Sequence, residues 1–267
     1  MNNEYLDFAK EIALEAGKIM IKYFEMSDIE SYKEDNTIVT LADKEINEYV
    51  IKKVKEKYGA HAVDGEEKSF GKSDHIWVCD PVDGTSMFAS GIPTAVFSLA
   101  LVVEGKPVVG AVFDPFTNNL YYAAEGLGAY KNDMKMAVNG ARLDDMKSVS
   151  NFDHWPESAY NLYETITELG KKTYFVSVGS VIRACMAIAD GKFNLAIFPG
   201  TKRKNCDIAA VKIIVEEAGG IVTDLFGNSQ RYDQDINGAV ISNKIVHAEV
   251  IEVTKRLLKN QLDIPND

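Results

Sequence analysis

Apolar and polar positions recur along the chain with two periods, and the change of period separates predicted helices from predicted strands. Between residues 6 and 23, apolar side chains recur every three or four positions and charged side chains fill the opposite face, which predicts an amphipathic helix. A second helix is predicted after Thr40, with Ile46, Val50 and Val54 on one face. The same spacing predicts a last helix over residues 246–257.

Short apolar runs bounded by turn residues predict strands over 76–80, 95–103, 107–113 and 120–124. The turns between them are short, which favours antiparallel neighbours, and Gly126, Gly128 and Asn132-Asp133 continue the meander. Strands then alternate with helices: strands at 173–178, 193–198, 220–224 and 238–242, helices at 180–190 and 207–218. This order predicts an N-terminal α+β half, residues 1–145, and a C-terminal α/β half, residues 146–267, with a site between them.

Composition and charge narrow the function. The 267 residues are 46% hydrophobic and 26% charged, as in globular proteins, and the net charge of −11 argues against a nucleic-acid partner. We expect no membrane segment and no signal peptide, because no apolar run reaches the ~18 residues of a membrane span. Three widely separated cysteines make a disulfide framework improbable and favour the cytoplasm. A phosphorylated substrate would need a basic pocket or bound metal ions to offset the negative charge.

The segment Asp80-Pro81-Val82-Asp83-Gly84-Thr85-Ser86 carries the strongest chemical signal. Proline is expected to end the strand at Asp80, and Asp83 follows in a turn, so both carboxylates can face one space. The backbone N–H groups of Gly84, Thr85 and Ser86 then open a helical turn towards an anion. Hard oxygen ligands of this kind select Mg²⁺ or Mn²⁺. The alternative is that the segment is only a turn.

Other acidic residues have ordinary structural explanations when each is taken alone. Glu66 and Glu67 suit a solvated loop, Asp207 suits a helix N-cap, and Asp43 suits a capping box with Thr40. Gly71-Lys72-Ser73 is not a P-loop, because position 66 is Glu where that motif needs Gly. The sequence also lacks GxGxxG and GxSxG, so it supports neither a dinucleotide fold nor a serine hydrolase.

Together, these clusters resemble the inositol monophosphatase family of the fructose-1,6-bisphosphatase-like superfamily. The matching segments are Gly65-Glu66-Glu67, residues 80–85, Asp207-Ile208-Ala209-Ala210 with Glu217-Ala218-Gly219-Gly220, TIVTLAD at 37–43, Gly126-Leu127-Gly128-Ala129 and Gly179-Ser180. They follow one another in the family's order from about residue 5 to residue 255.

The resemblance implies a layered αβαβα sandwich, a homodimer, and Mg²⁺-dependent hydrolysis of a small phosphorylated metabolite. It implies two or three Mg²⁺ ions, with Mn²⁺ as a possible substitute. The implied metal ligands are Glu67, Asp80, the Val82 carbonyl, Asp83 and Asp207; Asp43 and Thr85 would orient the attacking water, with Glu67 as a further catalytic residue. The implied substrate contacts are Asp83, Gly84, Thr85, Ser86, Gly179, Ser180 and Arg203.

Departures from the family pattern leave the substrate open. Cys206 stands where the family often has Trp, and Gly200 stands where inositol-specific members often have an acidic residue. Lys202-Arg203-Lys204 is either a solvated loop or a clamp for a second phosphate. An inositol-1-phosphate type of substrate is the default expectation. The alternatives are fructose-1,6-bisphosphate, a 3′,5′-bisphosphonucleotide, histidinol phosphate, or a catalytically silent phospholigand-binding protein.

Overall fold

The computed structural model describes residues 2–24, 29–32, 38–153, 158, 160–200 and 205–259. In chain order the elements are α1 (Asn2–Phe24), β1 (Ile29–Tyr32), β2 (Ile38–Thr40), α2 (Leu41–Lys57), β3 (Ala62–Gly65), β4 (His75–Asp83), α3 (Thr85–Ala89), β5 (Val96–Val103), β6 (Lys106–Asp114), β7 (Asn119–Ala124), β8 (Gly128–Lys131), β9 (Met134–Lys135), β10 (Val149–Phe152), α4 (Tyr163–Leu169), β11 (Tyr174–Val176), α5 (Val181–Ala189), β12 (Leu195–Phe198), α6 (Asn205–Glu217), β13 (Ile221–Thr223), β14 (Ala239–Ser242) and α7 (His247–Leu258).

Three apolar cores stack the elements into five layers, which confirms the expected αβαβα sandwich. One core packs α1 and α2 on a seven-stranded sheet. The second places α5 and α6 between that sheet and a five-stranded sheet. The third packs α4 and α7 on the outer face of the five-stranded sheet. Because α5 and α6 contribute to a core shared by both sheets, these two helices form the middle layer of the sandwich.

The two large sheets differ in strand order. The seven-stranded sheet runs in sequence order from β3 to β9, and its pairs are antiparallel apart from parallel β3–β4. The five-stranded sheet has the order β11-β10-β12-β14-β13 and mixes parallel with antiparallel pairs. The large sheets use residues 62–135 and 149–242, respectively. The division into halves at residue 145 stays a proposal.

Most elements predicted from periodicity are present, with boundaries shifted by a few residues. The pattern missed β1, β2, β10 and α4, which are short, and β3, whose pairing with β4 is parallel. The expectation that Pro81 ends the strand is wrong. Strand β4 continues to Asp83, which pairs with Val96 of β5 beyond a register irregularity after Asp80. That irregularity accommodates the proline, because a bulge removes the need for its missing N–H.

All three cysteines are buried thiols, and none is joined in a disulfide. Among the described helices, each is too short or too polar to cross a bilayer.

Candidate active site

The carboxyl end of β4 places Asp80, Val82 and Asp83 in one irregular stretch of strand. All three residues are buried. The Val82 N–H donates to Asp80 Oδ1 over 3.1 Å, which fixes the orientation of that carboxylate. Immediately after the strand, Gly84 adopts a φ of 88° and begins α3. A Cβ at this position would lie 2.9 Å from the carbonyl oxygen of Gly179, so the turn requires glycine.

Thr85 and Asp43 form a pair beside this strand end. The Thr85 hydroxyl lies 2.8 Å from the Val82 carbonyl oxygen and 3.4 Å from Asp43 Oδ1. A hydroxyl has one hydrogen, so when Thr85 donates to Val82, its lone pair is left for a proton on Asp43 or on water. The Val82 carbonyl keeps a second lone pair for another partner.

Asp43 supplies the carboxyl of this pair, and its side chain has no exposed surface. It is part of the capping arrangement of α2, since the Thr40 N–H and hydroxyl both donate to its Oδ2, over 2.8 and 2.5 Å. Burial raises the pKa of Asp43 to about 7, against the opposing effect of these hydrogen bonds, and the nearby Glu66 and Glu67 carboxylates raise it further. Its capping role and its place beside Thr85 therefore coexist in one side chain.

Asp83 is bound by the start of α5 on the other side of the site. The Ser180 hydroxyl and the Ile182 N–H both donate to Asp83 Oδ2, the latter over 2.9 Å. Ser180 is also the N-cap of α5, where its hydroxyl oxygen accepts from the Arg183 N–H. The predicted Gly179-Ser180 element thus contacts the segment after Asp80: Gly179 lies against Gly84, and Ser180 donates to Asp83.

The loop after β3 carries the two glutamates and is anchored by Asn47, a residue that the sequence patterns did not single out. Asn47 accepts from the N–H groups of Glu67 and Lys68, each over 3.2 Å, and donates to the Lys68 carbonyl over 2.9 Å. A Cβ on Gly65 would lie 2.3 Å from Asn47 Oδ1, so the loop approaches α2 as closely as glycine allows. The Glu66 N–H donates to the Cys79 carbonyl, which ties the loop to β4.

A cluster of ligand-type side chains forms where this loop meets β4 and α6. One ligand atom each from Glu66, Asp80 and Cys206 lies within 4.8 Å of the other two. Glu66, rather than the predicted Glu67, is the glutamate in this cluster. Asp207 lies in the first turn of α6 and accepts a contact of 3.4 Å from the Cys206 thiol. It is the third residue of the helix rather than its N-cap.

The arrangement fits a hard divalent cation. Asp80 and Asp207 are buried carboxylates, Glu66 is half-buried, and the Val82 carbonyl, which accepts from Thr85, is two residues from Asp80. Carboxylate and carbonyl oxygens are the ligands that Mg²⁺ uses in proteins. Two ligands of one ion with bonds of ~2.1 Å lie about 3.0 Å apart when they are cis and about 4.2 Å apart when they are trans, so atoms within 4.8 Å of one another must approach further when an ion binds.

Comparison with known proteins places this site in a family. The model of the inositol monophosphatase family matches residues 1–259. The chain belongs to the inositol monophosphatase family. Members of this family are phosphoric monoester hydrolases, and so is this chain; the alternative of a catalytically silent binder is set aside.

The relatives of this chain within the family carry different names. A Thermotoga maritima protein called fructose-1,6-bisphosphatase/inositol-1-monophosphatase is 29% identical over 95% of this chain and 97% of its own length. A Pasteurella multocida protein called Nus factor SuhB is 34% identical over 84% of this chain and 86% of its own. A solved structure of a Thermotoga maritima IMPase superposes with a TM-score of 0.83 at 27% identity, covering 96% of this chain and 99% of that one.

The predicted residues divide into three groups. In the first group, Thr85 bonds to Val82 and Asp43, and Ser180 bonds to Asp83, the neighbour of Val82 in the chain. Asp80 joins this group through its bond with the Val82 N–H. Asp207 is linked to Asp80 through Cys206. Arg203, with its flanking lysines, lies outside the described residues, so its predicted substrate contact stays a prediction.

Proposed function

We propose that this inositol monophosphatase family member hydrolyses the phosphomonoester of a small polyol or sugar, with inositol-1-phosphate as the default substrate. The observation that carries the proposal is the convergence of Asp80 and Glu66 beside the Thr85–Asp43 pair. We assign Asp80, the Val82 carbonyl, Asp83 and Asp207 as metal ligands. We add Glu66 to them, since its carboxylate belongs to the cluster; the assignment of Glu67 stays a prediction.

Magnesium, when bound, supplies Lewis-acid chemistry: it neutralises the carboxylates and the phosphate and lowers the pKa of a coordinated water. The chain's own residues supply position and proton handling. Thr85 presents its oxygen to the attacking water. As Thr85 takes the proton of the water, its own hydroxyl proton turns from the Val82 carbonyl to Asp43 Oδ1, which accepts it. In the metal-free protein the pKa of Asp43 is about 7, and bound cations would favour its ionised form, so the carboxylate is available as a base at neutral pH.

Asp83 orients the other side of the site. Its Oδ2 is held by Ser180 and the Ile182 N–H, so the carboxylate cannot rotate away from the strand end. We propose that the backbone of residues 84–86 and the Gly179-Ser180 element contact the phosphate. With Asp83 bound by α5 and Asp80 bound by the Val82 N–H, both carboxylates are pre-oriented, which reduces the reorganisation needed during reaction.

Phosphate release from a panel of esters tests the proposal. The panel contains inositol-1-phosphate, fructose-1,6-bisphosphate, a 3′,5′-bisphosphonucleotide and histidinol phosphate, each with Mg²⁺ and after chelation with EDTA. We expect turnover that requires Mg²⁺ and that Asp83→Asn abolishes without loss of fold, because the amide keeps the size of the side chain but lowers metal affinity. Asp7→Asn is the matched control, since it removes the same charge from an exposed position on α1. Near wild-type turnover by Asp83→Asn at saturating Mg²⁺ would disprove the metal mechanism.

A bisphosphate substrate is the second candidate. It is favoured by the name of the Thermotoga maritima relative, which includes fructose-1,6-bisphosphatase. If Lys202-Arg203-Lys204 clamps a second phosphate, replacing all three by Ala lowers kcat/KM for bisphosphates by about tenfold to a hundredfold and spares monophosphates. Equal and small effects on both classes would favour the monophosphate.

We further propose that the protein acts in the cytoplasm as a homodimer on a small metabolite. The three buried cysteines, which are thiols rather than disulfide partners, are compatible with a reducing compartment. Sedimentation equilibrium measures the oligomeric state directly.

A further inference from the structure

Cys206 brings a sulfur atom into a site otherwise built from oxygen. Its side chain is 4% exposed. Its Sγ lies within 4.8 Å of a carboxylate oxygen of Glu66 and of Asp80, and 3.4 Å from Asp207 Oδ1. A cysteine at position 206 is unusual, because the family that the chain resembles often has Trp at this position. A side chain with no metal affinity is therefore replaced by a thiol surrounded by three carboxylates.

Sulfur changes which ions such a site prefers. Magnesium binds oxygen ligands in a near-ideal octahedron and gains nothing from a thiolate. Zinc and cadmium accept thiolate together with carboxylate, and zinc commonly takes four protein ligands. One sulfur and three carboxylates converge here, which is a donor set for a borderline or soft ion.

The position of the sulfur is set by secondary structure rather than by a mobile side chain. Cys206 is the second residue of α6, and its neighbour Asn205 donates to Asp64 Oδ2 over 2.9 Å and to the Tyr232 carbonyl over 3.1 Å. These bonds tie the start of α6 to β3 on one side and to the segment before β14 on the other. The thiol therefore faces the Glu66 loop without needing a change of backbone.

We propose that Glu66, Asp80 and Cys206, with Asp207 at the edge, form a thiolate-containing site for Zn²⁺ or Cd²⁺ that overlaps the Mg²⁺ site and excludes Mg²⁺ from it. This inference rests on the proposed function, since it uses three of the same carboxylates, those of Glu66, Asp80 and Asp207. When the ion binds, a sulfur–metal bond forms and the thiol proton, which faces Asp207 in the free protein, leaves to solvent. No oxidation or reduction takes place.

Cadmium titration of the metal-free protein tests the proposal by absorption, without any substrate. We expect an ultraviolet thiolate-to-cadmium charge-transfer band that saturates at one ion per chain, with proton release measured in weakly buffered solution. The band should disappear in Cys206→Ala and Cys206→Ser. It should persist in Cys185→Ala, the matched control, because Cys185 is also buried and near Asp83 and Asp207 but is not part of the cluster. Added Mg²⁺ should raise the cadmium concentration needed for half-saturation.

Three results would overturn the proposal: no band in the wild-type protein, a band that survives in both Cys206 variants, or a cadmium concentration for half-saturation that millimolar Mg²⁺ leaves unchanged. The two variants guard against a folding defect in one of them, and the circular dichroism spectrum of each is recorded first. Failure of the proposed function is distinguishable, because it would appear as the absence of Mg²⁺-dependent phosphate release, whether or not the cadmium band forms.

Discussion

Replacing Asp43 by Asn should lower activity and raise stability at the same time. The carboxyl is fully buried, and this burial is the main reason why its pKa rises from the ordinary value of 3.8 to about 7. Above pH 7 the folded protein holds an ionised carboxylate that water solvates better in the unfolded chain. An amide of the same shape removes that unfavourable charge but cannot accept the proton passed through Thr85.

The size of the stability change follows from the pKa. A rise of about 3 units corresponds to about 4 kcal/mol against folding at high pH, at 1.36 kcal/mol per unit. The amide is a weaker acceptor for the Thr40 N–H at the start of α2. This weaker cap lowers the free energy of unfolding by about 1–2 kcal/mol. The net gain at pH 8 is therefore about 2–3 kcal/mol.

The pKa of Asp43 also determines whether stability rises or falls with pH. Between pH 3.8 and about 7 the folded state binds the proton that the unfolded state has lost, so wild-type stability from this group decreases as pH rises through that window. The advantage of Asp43→Asn should be full above pH 7, shrink as pH falls, and vanish or reverse near pH 4.

Urea unfolding of both proteins at several pH values, with EDTA present, measures the difference. Chelation is needed because a bound cation would relieve the buried charge. Asp7→Asn, an exposed change of the same charge, should show no such pH-dependent gain. An Asp43→Asn protein that is less stable than wild type at pH 8, or equally stabilised at pH 4 and pH 8, would refute the reasoning.

Three further substitutions test other parts of the structure. Ser180→Ala removes a donor to Asp83 and the cap of α5, so it should lower kcat and destabilise the fold by about 1–2 kcal/mol, measured by kinetics and urea unfolding; an unchanged kcat would contradict the role given to Asp83. Asn47→Ala frees the glutamate loop and should weaken Mg²⁺ activation by about tenfold or more in a titration of rate against Mg²⁺, whereas unchanged activation would mean that the loop does not hold the ion. Burial lowers the pKa of His247 to about 4 and the charge of Lys212 adds to this, so stability should fall as pH drops from 6.5 towards 4; thermal melts of His247→Gln should depend less on pH, and parallel curves for the two proteins would disprove this account.

The local segments around Asp80 and Asp83 could be predicted from sequence because their chemistry depends on neighbours in the chain. Strand, proline, turn glycine and helix start follow one another within seven residues. The continuation of β4 through Pro81 could not be predicted, since it depends on pairing with β5 beyond the irregularity. Short elements such as β10 and α4 were not predicted from the sequence, because a few residues do not establish a period.

The presence of Glu66 in the cluster with Asp80 shows the limit of local sequence most clearly. Adjacent residues leaving a strand point in different directions, and local sequence does not say which direction faces the site. Here the direction depends on parallel pairing of β3 with β4 and on Asn47, which lies on α2, about twenty positions earlier in the chain. Its contact with the loop leaves no periodic or motif signal.

From the sequence by itself, periodicity predicted most helices and strands, and short motifs singled out the aspartates of the β4 segment and, through the family they resemble, implied the layered sandwich. These features depend on residues that are neighbours in the chain. Only the tertiary structure decided that Glu66 and Cys206 meet Asp80, that Ser180 holds Asp83, and that Asp43 is buried deeply enough to shift its pKa. These outcomes depend on distances between segments far apart in the chain and on exclusion of water, and both arise only when the two sheets pack around α5 and α6.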